Sequence, residues 1–211
     1  MNKNIIFDFD GTVINSLPLA IRTLHEAGHK YNIESLKNVH VEKLRDMSIP
    51  EIFKELKIPF WTLPFLVTWA RRRMHSQIHN IPLVEGITDA FRELKKNDNR
   101  LFMLTSNSEK NVRISFEDNK IIHLFDDIIG GVGTFSKKRA MKKLLKKYNL
   151  KKEDCIYITD EIRDVIATND INMANIAVAW GYNSEKALMG VNPNHLVHSP
   201  SELVKIIKEL E

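Results

Sequence analysis

Ile5-Ile6-Phe7-Asp8-Phe9-Asp10-Gly11-Thr12 is a short apolar run that ends in two carboxylates and a glycine. The apolar half reads as a buried strand, and the glycine-containing half as the turn at its carboxyl end. Asp8 and Asp10 stand two residues apart, so an ideal strand aims both to one side. The onset of a turn lets their carboxylates converge. Adjacent carboxylates repel unless positive charge compensates, and a hard cation such as magnesium does so through carboxylate, carbonyl and water oxygens. Asp and Gly are also ordinary turn residues. A turn alone does not account for acids recurring after a later apolar run, at Asp160 and Asp164.

Outward from this stretch, Leu17, Ala20, Leu24, Ala27 and Tyr31 recur with helix spacing. Residues 36–82 differ in character. Pro50, Pro59, Pro64 and Pro82 punctuate them, and an aromatic-rich segment runs from Phe60 to Trp69. No period-2 pattern appears there, which predicts an all-helical insert. After Gly86 the pattern alternates. Helices are expected around Ile87–Leu94, Val112–Phe116 and Met141–Tyr148, and strands at Leu101–Leu104, Ile128–Ile129, Cys155–Ile158 and Ile176–Ala179. Ser199-Pro200-Ser201-Glu202 carries the marks of a helix start, with Ser199 as cap, Pro200 at N1 and Glu202 at N3. Apolar runs without alternation fit a parallel sheet covered on both faces, so the fold class is α/β. Ligands in such folds bind beyond the carboxyl ends of the strands. Asp8/Asp10, Thr105/Ser106 and Asp160 all fall there.

The chain has 211 residues, enough for one core domain carrying a smaller insert. With 31 Lys and Arg against 27 acidic residues, the net charge of +4 is too small to argue for nucleic acid, and no basic stripe with base-reading partners accompanies it. One cysteine, Cys155, excludes an intrachain disulfide and sits in an apolar run that reads as core. No apolar run approaches the ~20 residues that cross a bilayer. Met1-Asn2-Lys3-Asn4 carries no signal-peptide pattern, so a cytoplasmic protein is expected.

Other clusters are compatible with chemistry. Thr105-Ser106-Asn107 offers hydroxyls and backbone N–H groups to phosphate oxygens, although such residues are equally common as helix caps. Asp160 is a candidate metal ligand, and Asp164 shares its side if a helix begins there. Arg163 stands ready to offset that acidity, and Glu161 either pairs with it or faces solvent. Lys137 and Lys138 open a basic helix, where cations oppose the helix dipole, so one of them is expected to have another task. The later lysines read as a solvated face. Arg71-Arg72-Arg73 reads mainly as surface, and the eight histidines show no zinc spacing.

These motifs, taken in order, resemble the haloacid dehalogenase superfamily over essentially the full length, and within it the phosphoglycolate-phosphatase-like branch with a helical cap. Phe7-Asp8-Phe9-Asp10-Gly11-Thr12 is similar to its first motif. The resemblance implies a Rossmann-like core, residues 1–15 and 83–211, and an inserted helical cap, residues 16–82. It implies Asp8 as nucleophile, Asp10 as acid and base, and Thr105 as a phosphate-binding hydroxyl, with Ser106 beside it. Phe135-Ser136-Lys137 looks like the family's approach to its lysine, which favours Lys137 over Lys138. Magnesium is implied at Asp8, the Asp10 carbonyl, Asp160 and Asp164. The implied reaction is hydrolysis of a small phosphate monoester, phosphoglycolate-like or a sugar phosphate, by a monomer or homodimer with neither nucleic-acid nor membrane partners.

Three residues depart from the family pattern. Thr159 stands where Gly is usual before the acidic motif, Glu85 where Pro is common before Gly86, and Thr168 within the usual small-residue pair. Asp10 argues against a dehalogenase, which normally lacks this second acid. A sugar-phosphate mutase uses the same core residues, and a non-catalytic protein-binding module would keep the fold without turnover. A phosphonate hydrolase would need a cap lysine that nothing here singles out.

Overall fold

The structure is a computed structural model that describes residues 2–133 and 136–211, so Phe135 lies outside it. Six strands form one parallel sheet: β1 Asn4–Phe7, β2 Arg100–Leu104, β3 Asp127–Ile129, β4 Cys155–Thr159, β5 Ala174–Val178 and β6 His195–Val197. The order across it is β3-β2-β1-β4-β5-β6. The helices are α1 Leu17–Lys30, α2 Glu34–Lys37, α3 Val41–Arg45, α4 Ile49–Glu55, α5 Leu63–His75, α6 Ile87–Lys96, α7 Glu109–Asp118, α8 Lys137–Tyr148, α9 Ile162–Asn169, α10 Glu185–Met189 and α11 Pro200–Glu209.

The central strands β1, β2 and β4 are apolar along most of their length because both faces are covered. Ile5, Phe7, Leu101, Met103, Ile156 and Ile158 belong to a cluster with Phe91 of α6, Phe116 of α7 and Ile207 of α11. Ile6, Phe102, Leu104 and Tyr157 belong to another with Met141 and Leu144 of α8. Phe7 and Phe91 meet edge to face at 5.1 Å, and Phe91 meets Phe125 at 5.0 Å. The α11 start is built as expected, with Ser199 Oγ accepting from Glu202 N at 3.2 Å. The Glu202 carboxylate reaches one residue further back, to His198 N at 2.7 Å.

β5 begins two residues before the expected strand, because its first half contains the fully buried Asn175. That amide donates to Thr168 Oγ1 at 3.0 Å and to Asn169 Oδ1 at 2.7 Å. Thr168, one of the departures from the family pattern, is thus a partner of this buried asparagine. β6 was not anticipated. It is a three-residue edge strand with two half-buried positions, too short and too wet to show as an apolar run.

Between β1 and α6, the regular elements among the described residues are helical. Ala27, Leu36, Leu44, Leu56, Ile58 and Leu66 form their own apolar cluster, apart from those beside the sheet. The chain leaves and re-enters the sheet layer through a short two-stranded neck. Asn15 N donates to Pro82 O and Val84 N to Val13 O, each at 2.9 Å, and Ile14 and Leu83 form an antiparallel bridge. Among the described residues no helix is long and apolar enough to cross a membrane.

Candidate active site

Strand register brings the site together. Phe7 stands level with Met103 of β2 and Ile158 of β4, so the residues just beyond all three strands share one edge of the sheet. Asp8 follows β1, Thr105 follows β2, and Asp160 follows β4. Two ladder bonds continue past the strand ends: Asp8 N donates to Ile158 O at 2.9 Å and Thr105 N to Ile129 O at 3.0 Å.

Lys137, at the start of α8, is buried beneath these residues. Its Nζ lies 2.9 Å from Asp8 Oδ1 and 2.8 Å from Asp164 Oδ2, and it donates to Tyr157 Oη at 2.7 Å and Leu104 O at 3.1 Å. Lys138 instead points outward and pairs with Asp170 at 2.9 Å. Burial works to lower the Lys137 pKa, but Asp164 and Asp8 outweigh it and hold the pKa well above the usual lysine value. The same charge, with Arg163, keeps Asp164 below the usual carboxylate value despite burial.

Asp8 also accepts from Phe9 N at 2.8 Å. Burial raises its pKa well above normal. Lys137 opposes the rise, and Asp164, Glu161 and Asp160 add to it. Asp10 is raised too, by burial, against a hydrogen bond from Asn107 Nδ2 to its Oδ2 at 2.9 Å. Thr105 Oγ1 accepts from Asn107 N at 3.0 Å, and Ser106 and Asn107 line the cleft above.

Asp160 is fully buried. Thr12 Oγ1 donates to its Oδ1 and Tyr182 N to its Oδ2, both at 2.7 Å. Burial and the Glu161 carboxylate push its pKa up to about 7. A Cβ on Gly11 (φ +77°) or on Gly181 would overlap this carboxylate, so both glycines are there to let the backbone approach it. Glu161, left open on sequence grounds, is an ion-pair partner of Arg163, with Nη2 donating to Oε1 at 2.6 Å. Thr159, the departure from Gly, turns its hydroxyl inward. It accepts from Glu161 N at 3.1 Å and donates to Asp164 Oδ2 at 3.4 Å.

Two features escaped the sequence reading. Tyr157 lies in an apolar run but places its hydroxyl beside Lys137, donating to Leu104 O at 3.1 Å. The loop 180–184 ties Asp160 to α3. Arg45 donates to Tyr182 O at 3.3 Å and Gly181 O at 3.2 Å, and Asn183 Nδ2 donates to Arg45 O at 3.0 Å and Met47 O at 3.2 Å. Ile162 N donates to Asn183 Oδ1 at 3.0 Å. Nothing local in Leu44-Arg45 or in Trp180-Gly181-Tyr182-Asn183 shows that the two stretches meet.

Asp8, Asp10, Asp160, Glu161 and Asp164 are five buried or half-buried acids around two cations, Lys137 and Arg163. Asp10 Oδ1 and Asp164 Oδ1 are buried without a hydrogen-bond partner. This surplus of acid and of unsatisfied oxygen fits a hard divalent cation. Among the described residues no three acidic, histidine or cysteine side chains form a metal cage by themselves. The fit is therefore to a cation held partly by backbone and water oxygens, as magnesium commonly is.

Residues 5–178 match the haloacid dehalogenase-like hydrolase family, and the chain belongs to it. It is 27% identical over 206 residues to a phosphoglycolate phosphatase from Synechococcus elongatus, covering 98% of this chain and 97% of that protein. It is 24% identical over 215 residues to pyrophosphatase PpaX from Bacillus mycoides, covering 99% and 98%. A haloacid dehalogenase-like family hydrolase from Streptococcus pneumoniae has the same fold, with a TM-score of 0.82 at 20% identity and 98% coverage of each chain.

Proposed function

We propose that this protein is a magnesium-dependent phosphatase that hydrolyses phosphate monoesters through a phosphorylated Asp8. The observation that carries the reading is the Lys137 ammonium, buried 2.9 Å from Asp8 and 2.8 Å from Asp164, with Asp10 held beside them by Asn107. The two curated relatives named above, both phosphate hydrolases by name and matched over nearly their whole length, support it.

Asp8 attacks phosphorus, and the bond from phosphorus to the leaving oxygen breaks. Asp10, whose burial favours the protonated form, gives its proton to that oxygen. Asp10 then takes a proton from water as the water attacks phosphorus, releasing inorganic phosphate and restoring the Asp8 carboxylate. Lys137 stays charged throughout and offsets repulsion between the phosphate and Asp8. Thr105 and Ser106 offer hydroxyls to the phosphate oxygens. Asp8, the Asp10 carbonyl, Asp160 and Asp164 would hold magnesium, which when bound neutralises the phosphate and the acids around it. Residues 16–82 act as a helical cap over a core of residues 1–15 and 83–211.

The test is Asp8→Asn, which keeps the shape of the side chain and removes its nucleophilic charge. Phosphate release from a panel of monoesters with magnesium is expected to vanish, with the melting temperature close to the parent's. Parental turnover in the variant would refute the role of Asp8.

A further inference from the structure

The helical layer does not fill the space beside the site. A cleft of about 890 Å³ lies between it and the sheet layer, with Asp10, Ser106, Asn107 and Arg163 among the residues at the reactive end. One wall is an apolar stripe of α1, formed by Leu17, Ile21 and Leu24, and the other is α4, with Ile49, Ile52 and Phe53. All six side chains are only partly buried, and α4 has no buried residue at all. Leu24, Ile52 and Phe53 also pack in part on the cluster of the helical layer, so what the two helices leave toward the cleft is the uncovered part of their apolar side chains, and exposing it to water is unfavourable.

The gap does not come from an undocked cap. Arg45 and Asn183 bind α3 to the loop 180–184 on one side. On the other, His75 Nδ1 bonds Asn111 Oδ1 of α7, and His79 Nδ1 lies 2.7 Å from Asp118 Oδ2. The cleft is present while the layer is tied down at both ends.

Several polar groups on the cleft are already committed. Asn107 Oδ1 accepts from Ser108 N and Asn111 Nδ2, Ser48 Oγ donates to Glu51, and Tyr182 Oη pairs with Ser16. On the α1 wall, Thr23 Oγ1 is a buried hydroxyl without a partner, a single polar exception. Pockets of this size hold ligands larger than a two-carbon acid. The cleft also carries Arg71, Arg72, Lys110 and Ser106, but along the α1 and α4 walls themselves a sugar's ring of hydroxyls would find few partners.

We propose that the substrate is the phosphate monoester of a bulky apolar alcohol, whose hydrocarbon body lies between α1 and α4 while its phosphate faces Asp8. This rests on the phosphatase reading and names its substrate class.

The test is a series of primary alkyl phosphates (ethyl, butyl, hexyl, octyl), whose leaving groups have matched basicity, beside phosphoglycolate and glucose 6-phosphate. The kcat/KM is expected to rise about two- to fourfold per added methylene until the cleft is filled, since full burial of one methylene is equivalent to roughly fourfold. Ile52→Asn and Ile21→Asn are expected to flatten that slope. A flat or falling series, or preference for phosphoglycolate or glucose 6-phosphate over octyl phosphate, overturns the inference and leaves the phosphatase intact. Binding of the matching alkylphosphonates, which cannot be hydrolysed, is measured in parallel by calorimetry. Affinity that climbs with chain length supports the cleft assignment even if no ester is turned over, a result that would overturn the phosphatase reading instead. Affinity independent of chain length overturns the cleft assignment.

Discussion

Asp160 shows how a single residue can report on the whole site. Its pKa in the fold, about 7, lies above the ordinary carboxylate value of 3.8. The native state therefore holds a proton that the unfolded chain has lost between those two values. Its contribution to stability is complete below about pH 4 and is lost as pH rises through 7. Asp8 is shifted the same way and adds to the trend, while the lowered Asp164 acts only at more acid pH. The ion-free protein is thus expected to melt lower at pH 8 than at pH 5, Asp160→Asn to weaken that difference, and magnesium to raise the melting temperature more at pH 8. Scanning fluorimetry across pH checks this; a melting temperature that rises from pH 5 to pH 8 would contradict it. Asp8, Asp10 and Asp160 stand out as candidates in the sequence because they lie just beyond apolar runs, Asp164 because of its helix spacing from Asp160, and Thr105 only through the family resemblance, since its position alone fits a helix cap equally well. Tyr157 does not, because a tyrosine in a buried strand looks like packing until the lysine beneath its hydroxyl is placed.

At the scale of elements, the loop 180–184 is the part least visible in the sequence and most exposed to test. Its bonds run to residues about 20 positions away at Asp160 and Ile162, and about 136 away at Arg45 and Met47. No local spacing announces such contacts. Asn183 is buried and makes three of them, so Asn183→Ala leaves the Ile162 N–H and two carbonyls short of partners. A loss on the order of 2 kcal/mol is expected, which for a chain of this size lowers the melting temperature by about 4–8 °C. Arg45→Ala gives up two long bonds to the loop and a solvent-side contact with Glu42 at 3.4 Å, all from a partly buried side chain, so its melting temperature should move less. Its KM should rise, because α3 is then held to the loop only through its backbone carbonyls and sits less firmly beside the cleft. If kcat fell instead with KM unchanged, the loop would serve Asp160 alone. The strands β1, β2 and β4 were legible for the opposite reason: they are continuous apolar runs with both faces covered, and that pattern is local.

For the molecule as a whole, the helical segment was legible through its prolines and aromatics, but its docking was not. The contacts that hold it down, His75 to Asn111 and His79 to Asp118, join α5 and the 3-10 turn Ile78–Asn80 to α7, and nothing in the spacing of the histidines pointed to these partners. Replacing residues 16–82 with the helical segment of another family member is expected to preserve cleavage of ethyl phosphate within about tenfold, flattened or reshaped chain-length preference being the change. Loss of all turnover in a chimera that still melts cooperatively would show that the segment also shapes the chemistry. The feature that makes such an exchange feasible is the neck, where Ile14 and Leu83 face each other and both crossings are hydrogen-bonded. The whole excursion begins and ends at nearly one point, so to the sheet it is a closed loop of any length. Chain closure costs grow only logarithmically with length. A lineage can therefore lengthen, shorten or trade what lies beyond Ser16 and before Pro82 at little thermodynamic penalty, inheriting its reaction and its taste for substrates as separate traits.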